Sequence, residues 1–125
     1  MKEMTRKERP STAQKKRAMM AKITAYTDAH LHDRLTLKII AAHCGVSVST
    51  VTQLFQRQEA VSFHGFVTNR RMMMAENHIR EGIPLEQVGK MVGYQDHSTF
   101  YRAFRQNFGI SPREYRKQMH PEAAE

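Results

Sequence analysis

One pattern occurs twice in this chain, and the repetition limits the folds open to it. A short apolar-faced stretch leads into a glycine, then into a second stretch with a polar outer face. Leu37 and Gly45 recur as Leu85 and Gly93 at an offset of 48. Ser49, Thr50 and Phe55 recur as Ser98, Thr99 and Phe104 at an offset of 49, so the second turn holds one additional residue. Each copy reads as a helix, a tight turn and a capped helix, which is the helix-turn-helix pattern.

The periodicity around the repeats is helical throughout. Met19, Ile23, Tyr26 and His30 recur at spacings of three and four, one face of a helix that begins near Arg17. Thr36 is placed to cap a short helix with Leu37, Ile40, Ala41 and Cys44 inward, and Gly45 stands where a left-handed residue ends it. Ser47 caps the next helix, with Val48, Val51, Leu54 and Phe55 inward and Ser49, Thr50, Gln53, Gln56 and Arg57 outward. A joining helix is expected over 62–80, packing on Phe63, Phe66, Val67, Met74 and Ala75 and ended by Gly82. Pro84 then falls in the first turn of a helix burying Leu85, Val88, Gly89 and Val92. Asp96 caps a helix that buries Phe100, Ala103 and Phe104 and exposes His97, Ser98, Tyr101, Arg102 and Arg105. After Gly109, Ser111, Pro112 and Glu114 compose a capping box for a last short helix. No stretch alternates as a strand would. The expected fold is all-α: two helix-turn-helix units (36–57 and 83–106), a homeodomain-like pair, joined by one long helix. A basic, flexible arm over 1–16 and a tail over 118–125 complete the expected organisation, with the folded domain over 19–117.

Charge bears on what such a fold could bind. Of 125 residues, 20 are basic and 12 acidic, a net charge of +8, which favours an anionic partner. Residues 1–22 account for +6 of it, so the arm is expected to touch phosphates or simply to be solvated. No apolar run reaches the ~20 residues of a membrane span, and no apolar stretch follows the charged start as a secretory signal requires. A cytoplasmic protein with no membrane partner is the expectation.

Catalytic and metal chemistry find little support. The one cysteine, Cys44, excludes an intrachain disulfide and a Cys-x-x-Cys motif, and its place on an inner helix face reads as a small buried hydrophobe. There is no glycine-rich phosphate loop and no H-E-x-x-H. The seven histidines include no i, i+4 pair with another histidine or with Cys44, so neither metal nor cofactor is expected, nor enzymatic activity.

The outward residues of the two capped helices are the candidate readers of base edges. Arg102 is the foremost, because arginine bonds guanine O6 and N7 together. His97 and Ser98 sit at the helix start, where base edges lie closest in this motif. Ser49, Thr50 and Gln53 are their first-unit counterparts. Arg57, Tyr101 and Arg105 are candidate phosphate contacts, which position a protein without reading sequence. Arg71, midway on the joining helix, reads as a phosphate clamp or, more readily, as a solvated charge. A joining helix of 62–80 spans about 28 Å, close to the ~34 Å between successive major-groove faces.

The stretch from Gly93-Tyr94 through Asp96, Ser98, Phe100, Arg102, Phe104 and Arg105, then Gly109, Ser111-Pro112 and Tyr115-Arg116, resembles the signature of the AraC/XylS family. The resemblance runs from about Met19 to Lys117. It implies a transcriptional regulator that binds double-stranded promoter DNA. A chain of this length leaves no room for the effector-binding domain many members carry, so it is similar to the stand-alone members. Those imply a monomer on an asymmetric bipartite site of roughly 20 bp, activating by contact with RNA polymerase. Control would then lie in how much protein is made or degraded.

Departures from the family pattern limit the transfer. Ser49 and Gln53 stand where relatives of that kind have a large aromatic residue and an arginine, which implies a different target sequence. Glu59-Ala60 replaces the usual Thr-Gly. Repression, a polymerase- or regulator-binding protein with weak DNA affinity, and a non-specific architectural binder are the alternatives to activation.

Overall fold

Helix α4 (Phe63–Arg80) organises the molecule, because its two halves belong to different cores. The computed structural model describes residues 11–58 and 61–121. Among these the chain forms α1 (Thr12–Ala29), α2 (Leu37–Cys44), α3 (Val48–Gln58), α4, α5 (Leu85–Met91), α6 (His97–Phe108) and α7 (Pro112–Met119), with no strand. Phe66 and Val67, near the start of α4, pack with Met20, Ile23, Ile40, Ala41, Val51, Leu54 and Phe55. Met72, Ala75 and Ile79 pack with Val88, Val92, Phe100, Phe104 and Tyr115. Each core is one helix-turn-helix unit closed by part of α4, which is the expected pair on a joining helix.

Local chemistry fixes the helix ends. The side chains of Thr36, Ser62, Asp96 and Ser111 accept the backbone N–H three residues on, and Gly45 and Gly109 end α2 and α6 in the left-handed region. A cap of this kind contributes about 1 kcal/mol. Pro84 is the N-cap of α5 rather than a first-turn residue, and it offers no side-chain cap. At Ser111 only half of the expected box forms: its hydroxyl accepts from the Glu114 N–H. The complete box lies at the other end of the chain, where Ser11 Oγ accepts from the Gln14 N–H and Gln14 Oε1 accepts from the Ser11 N–H.

That box corrects the expected arm. Residues 11–16 belong to the capped start of α1, and only residues 1–10 of the arm lie outside the described residues. The Glu59-Ala60 departure also lies outside them. At the other terminus α7 runs to Met119, and His120 Nε2 meets the Arg80 carbonyl at 2.9 Å, so the tail begins later than 118. Two inward assignments change as well. Val48 is 41% exposed, because the first helical residue of α3 precedes the core-facing turn, and Met72, not named as inward, is sealed in the second core while Met74 packs against its edge. Cys44 is half-buried against the first core, not sealed within it.

The two units meet at a seam that periodicity does not show. Arg70 donates Nε and Nη2 to the two carboxylate oxygens of Asp28, at 2.8 and 2.5 Å, tying α4 to α1. Arg71 donates Nε to the Leu31 carbonyl at 3.2 Å and Nη2 to the Asp33 carbonyl at 3.3 Å, while its guanidinium lies 5.6 Å from the Tyr94 ring centroid. Neither the phosphate clamp nor the solvated charge describes Arg71. It joins the α1–α2 loop to the α5–α6 turn. Gly93 completes the seam: at φ 104° it lets the turn approach so closely that a Cβ would stand 2.1 Å from the Leu31 carbonyl oxygen. Gly93→Ala should therefore lower stability by roughly 3 kcal/mol, since backbone strain and a backbone clash combine. Gly82→Ala, at φ 86° but facing open space, should cost only about 1–2 kcal/mol. Urea unfolding followed by circular dichroism tests the pair; equal losses would remove the clash from the explanation.

Candidate nucleic-acid interface

The second helix of each unit turns an apolar stripe inward and leaves a polar stripe exposed. On α3, Val51, Leu54 and Phe55 are buried while Ser49, Thr50, Gln53, Gln56 and Arg57 are exposed. On α6, Phe100 and Phe104 are buried while His97, Ser98, Arg102 and Arg105 are exposed. At i, i+4 spacing, Ser49 and Gln53 form one row and Ser98 and Arg102 another. The offset of 49 puts Gln53 opposite Arg102 and Gln56 opposite Arg105. All the candidate base-reading residues thus lie on the outward stripes of these two helices.

The repeat extends to the cap chemistry. Ser47 Oγ accepts the Thr50 N–H at 3.1 Å and lies 2.9 Å from the Thr50 hydroxyl. Asp96 Oδ1 accepts the Thr99 N–H at 2.8 Å, and the Thr99 hydroxyl donates to both carboxylate oxygens at 2.9 Å. Thr50 and Thr99 are equivalent, and each hydroxyl is held at the helix start by its cap. The Thr50 hydroxyl would have to leave Ser47 or share it to contact a base. Ser49, Gln53, Ser98 and Arg102 carry no such tie.

Electrostatics differ between the two stripes. The Asp96 carboxyl is held below the ordinary carboxylate range, first by the Thr99 N–H, then by the Thr99 hydroxyl, with Arg102 adding a favourable charge. Arg102 and Arg105 make α6 basic, whereas α3 carries one cation, Arg57. Tyr101 is half-buried beside His97, with ring centroids 6.0 Å apart. Arg71, at the seam, belongs to neither stripe.

Among the described residues no group of three or more His, Cys, Asp or Glu comes together as a metal site. No described helix is long and apolar enough to cross a membrane. Sequence reasoning counted Lys15 and Lys16 in a flexible basic arm and missed that they stand on a capped helix beside α3. Thr12, Lys15, Lys16 and Met19 share a groove of about 180 Å³ with Thr50, Gln53, Leu54 and Arg57 of α3. The signal was available in Ser11-x-x-Gln14, a capping box just ahead of the lysines.

Two capped polar-faced helices on one shared helix define the class of paired helix-turn-helix DNA-binding domains. A family model for the helix-turn-helix domain of AraC type matches residues 40–118. The chain belongs to the AraC-type helix-turn-helix family. It is 30% identical over 101 residues to the regulatory protein PocR of Salmonella typhimurium, an alignment covering 80% of this chain and 33% of PocR. It is 24% identical over 98 residues to SoxS of Escherichia coli, covering 78% of this chain and 92% of SoxS. The chain thus spans about a third of the one relative and nearly the whole of the other. Among solved structures, a DNA-binding transcriptional dual regulator from Escherichia coli K-12 superposes with a TM-score of 0.76 at 26% identity, covering 82% of this chain and 93% of that one. The DNA-binding domain of AdpA, solved with a target DNA, gives 0.74 at 20% identity, covering 83% and 95%, and shares the fold.

The cap of α6 carries a pH prediction. A carboxyl whose folded pKa lies below its unfolded value stabilises the fold above the unfolded value, and that contribution disappears as pH falls through the folded one. Asp96→Asn keeps a capping oxygen but no charge. Wild type should exceed Asp96→Asn in thermal stability at pH 7, with the gap closing below the ordinary aspartate value of 3.8. A gap that persists unchanged at pH 2.5 would assign it to geometry rather than charge.

Proposed function

We propose that this protein is a sequence-specific regulator of transcription that reads promoter DNA in the bacterial cytoplasm through α3 and α6. The observation that carries the reading is the matched pair of stripes, Ser49–Gln53 and Ser98–Arg102, on capped helices packed against opposite halves of α4. The 18 residues of α4 span about 27 Å, which suits two helices entering successive major grooves on one side of a duplex. One chain then does what a dimer of single units would do, so the protein binds as a monomer to an asymmetric, bipartite site of roughly 20 bp.

Residue roles follow from position. Arg102 reads guanine; Gln53, with an amide that pairs well to adenine, reads in the first half-site. Ser49, Thr50, His97 and Ser98 contact base edges near the helix starts. Arg57, Tyr101 and Arg105 fix the register on phosphates. Activation through contact with RNA polymerase is the preferred output. Its support is likeness to the transcriptional activator NphR of Rhodococcus, 32% identical over 101 residues that cover 30% of NphR.

Selection of random duplexes by the purified protein at two salt concentrations tests the reading, because phosphate contacts alone can produce tight binding at low salt. The expected product is a motif in two halves one helical turn apart that survives at the higher salt. Enrichment of nothing at either salt would overturn it. Arg102→Ala should weaken binding to the selected duplex about 10- to 100-fold, a loss of ~1–3 kcal/mol, and relax preference at one position in the second half alone. A uniform loss across unrelated duplexes would make Arg102 a phosphate contact instead.

A further inference from the structure

The reading of α3 as a groove-entering helix leaves one difficulty, and it rests on that reading: α3 is nearly without charge. Arg57 is the one cation among its described side chains, while α6 carries Arg102 and Arg105. Every helix in a major groove is flanked by two anionic backbones, and neutralising them supplies most of the sequence-independent affinity. The missing charge stands across the groove on α1. Lys15 and Lys16 line the same groove as Thr50, Gln53 and Arg57, and no acidic residue lines it. Among the described residues none of these three cations forms an ion pair.

Helix α1 holds its lysines in a defined direction. The Ser11–Gln14 capping box fixes where the helix starts. Met19, three and four residues beyond Lys16 and Lys15, packs on the first core and turns that face toward α3. Lys15, Lys16 and Arg17 are consecutive near the amino end of a helix with no acidic residue in its first turn. Cations placed there work against the helix dipole, and a local conflict of that sort is expected where a ligand offsets it.

We infer that Lys15 and Lys16 of α1, with Arg57 of α3, form a basic wall that binds the duplex phosphates beside the major groove entered by α3. The wall supplies affinity and register to the weakly charged first unit, and it reads no bases.

The test compares the full chain with a Lys15→Gln/Lys16→Gln variant and with Arg17→Gln. Arg17 is exposed about 150° around the helix from the centre of the groove-facing row and lines no part of the groove. Binding is measured on the selected duplex and on a scrambled one across 50–300 mM salt. For the double variant, the slope of log K against log salt should become shallower by about 2, binding near 100 mM should weaken about tenfold or more on both duplexes, and the selected motif should not change. Arg17→Gln should leave the slope within a few tenths of wild type. A double variant with an unchanged slope, or one whose motif changes, overturns the inference. Should the wild type select no motif, the reading of α3 and α6 fails; a shallower slope on scrambled DNA would still support the wall.

Discussion

The structure depends on a single helix that belongs to two cores at once. Phe66 and Val67 of α4 face one set of apolar side chains, and Met72, Ala75 and Ile79 face another. Neither unit closes without its half of α4. Between the two apolar segments lie Arg70 and Arg71, and both are spent on the seam. Arg70 clamps Asp28 with two parallel bonds; the pair is partly exposed, so its contribution is nearer 1 kcal/mol than the worth of a buried pair. Arg71 bonds two carbonyls of the α1–α2 loop and faces Tyr94 beyond the next turn. Its effect on geometry exceeds its effect on stability, since it ties three segments that sequence separates by about forty and twenty residues.

Gly93 shows how far this seam reaches back into the repeat. The matched Gly45 also has positive φ, but a Cβ there would meet nothing within 4 Å. The two turn glycines therefore meet different demands. Gly45 supplies a left-handed residue at a helix end, and Gly93 supplies both that conformation and room for the other unit's Leu31 carbonyl. Leu31 itself is 3% exposed. The copies thus share a glycine at the turn and differ in how that glycine meets the rest of the chain.

This division also explains what was legible in the sequence. Helix type, the caps at Thr36, Ser47, Asp96 and Ser111, and the inward stripes of α3 and α6 follow from period and capping chemistry, which act over four residues. The seam joins residues forty apart through guanidinium-to-carbonyl bonds, and no period encodes those. Arg71 looked like a surface charge because arginine on a helix between two cores has the same local pattern in either case. The start of α1 was missed for another reason. A basic run invited a reading as solvated tail, and the charge signal overrode the Ser11–Gln14 box beside it. For the interface, the stripes were visible but the tie between Thr50 and Ser47 was not, because hydroxyl orientation depends on the folded helix start.

Rigidity has a consequence for the DNA. A span of about 27 Å along α4 falls short of the ~34 Å between successive major-groove faces of a straight duplex. α4 is shared by both cores, and the seam is bonded through Arg70 and Arg71. On the proposed two-groove reading, a spacing set by α4 would favour a duplex bent toward the protein. Such bending costs about 1–6 kcal/mol and varies with the steps being bent, so base pairs that no side chain touches would contribute to selectivity. The second unit has Arg102 and Arg105 on its outer face. The first carries a single cation on α3, and on the proposed reading the lysines of α1 would supply the attraction that offsets the cost of bending.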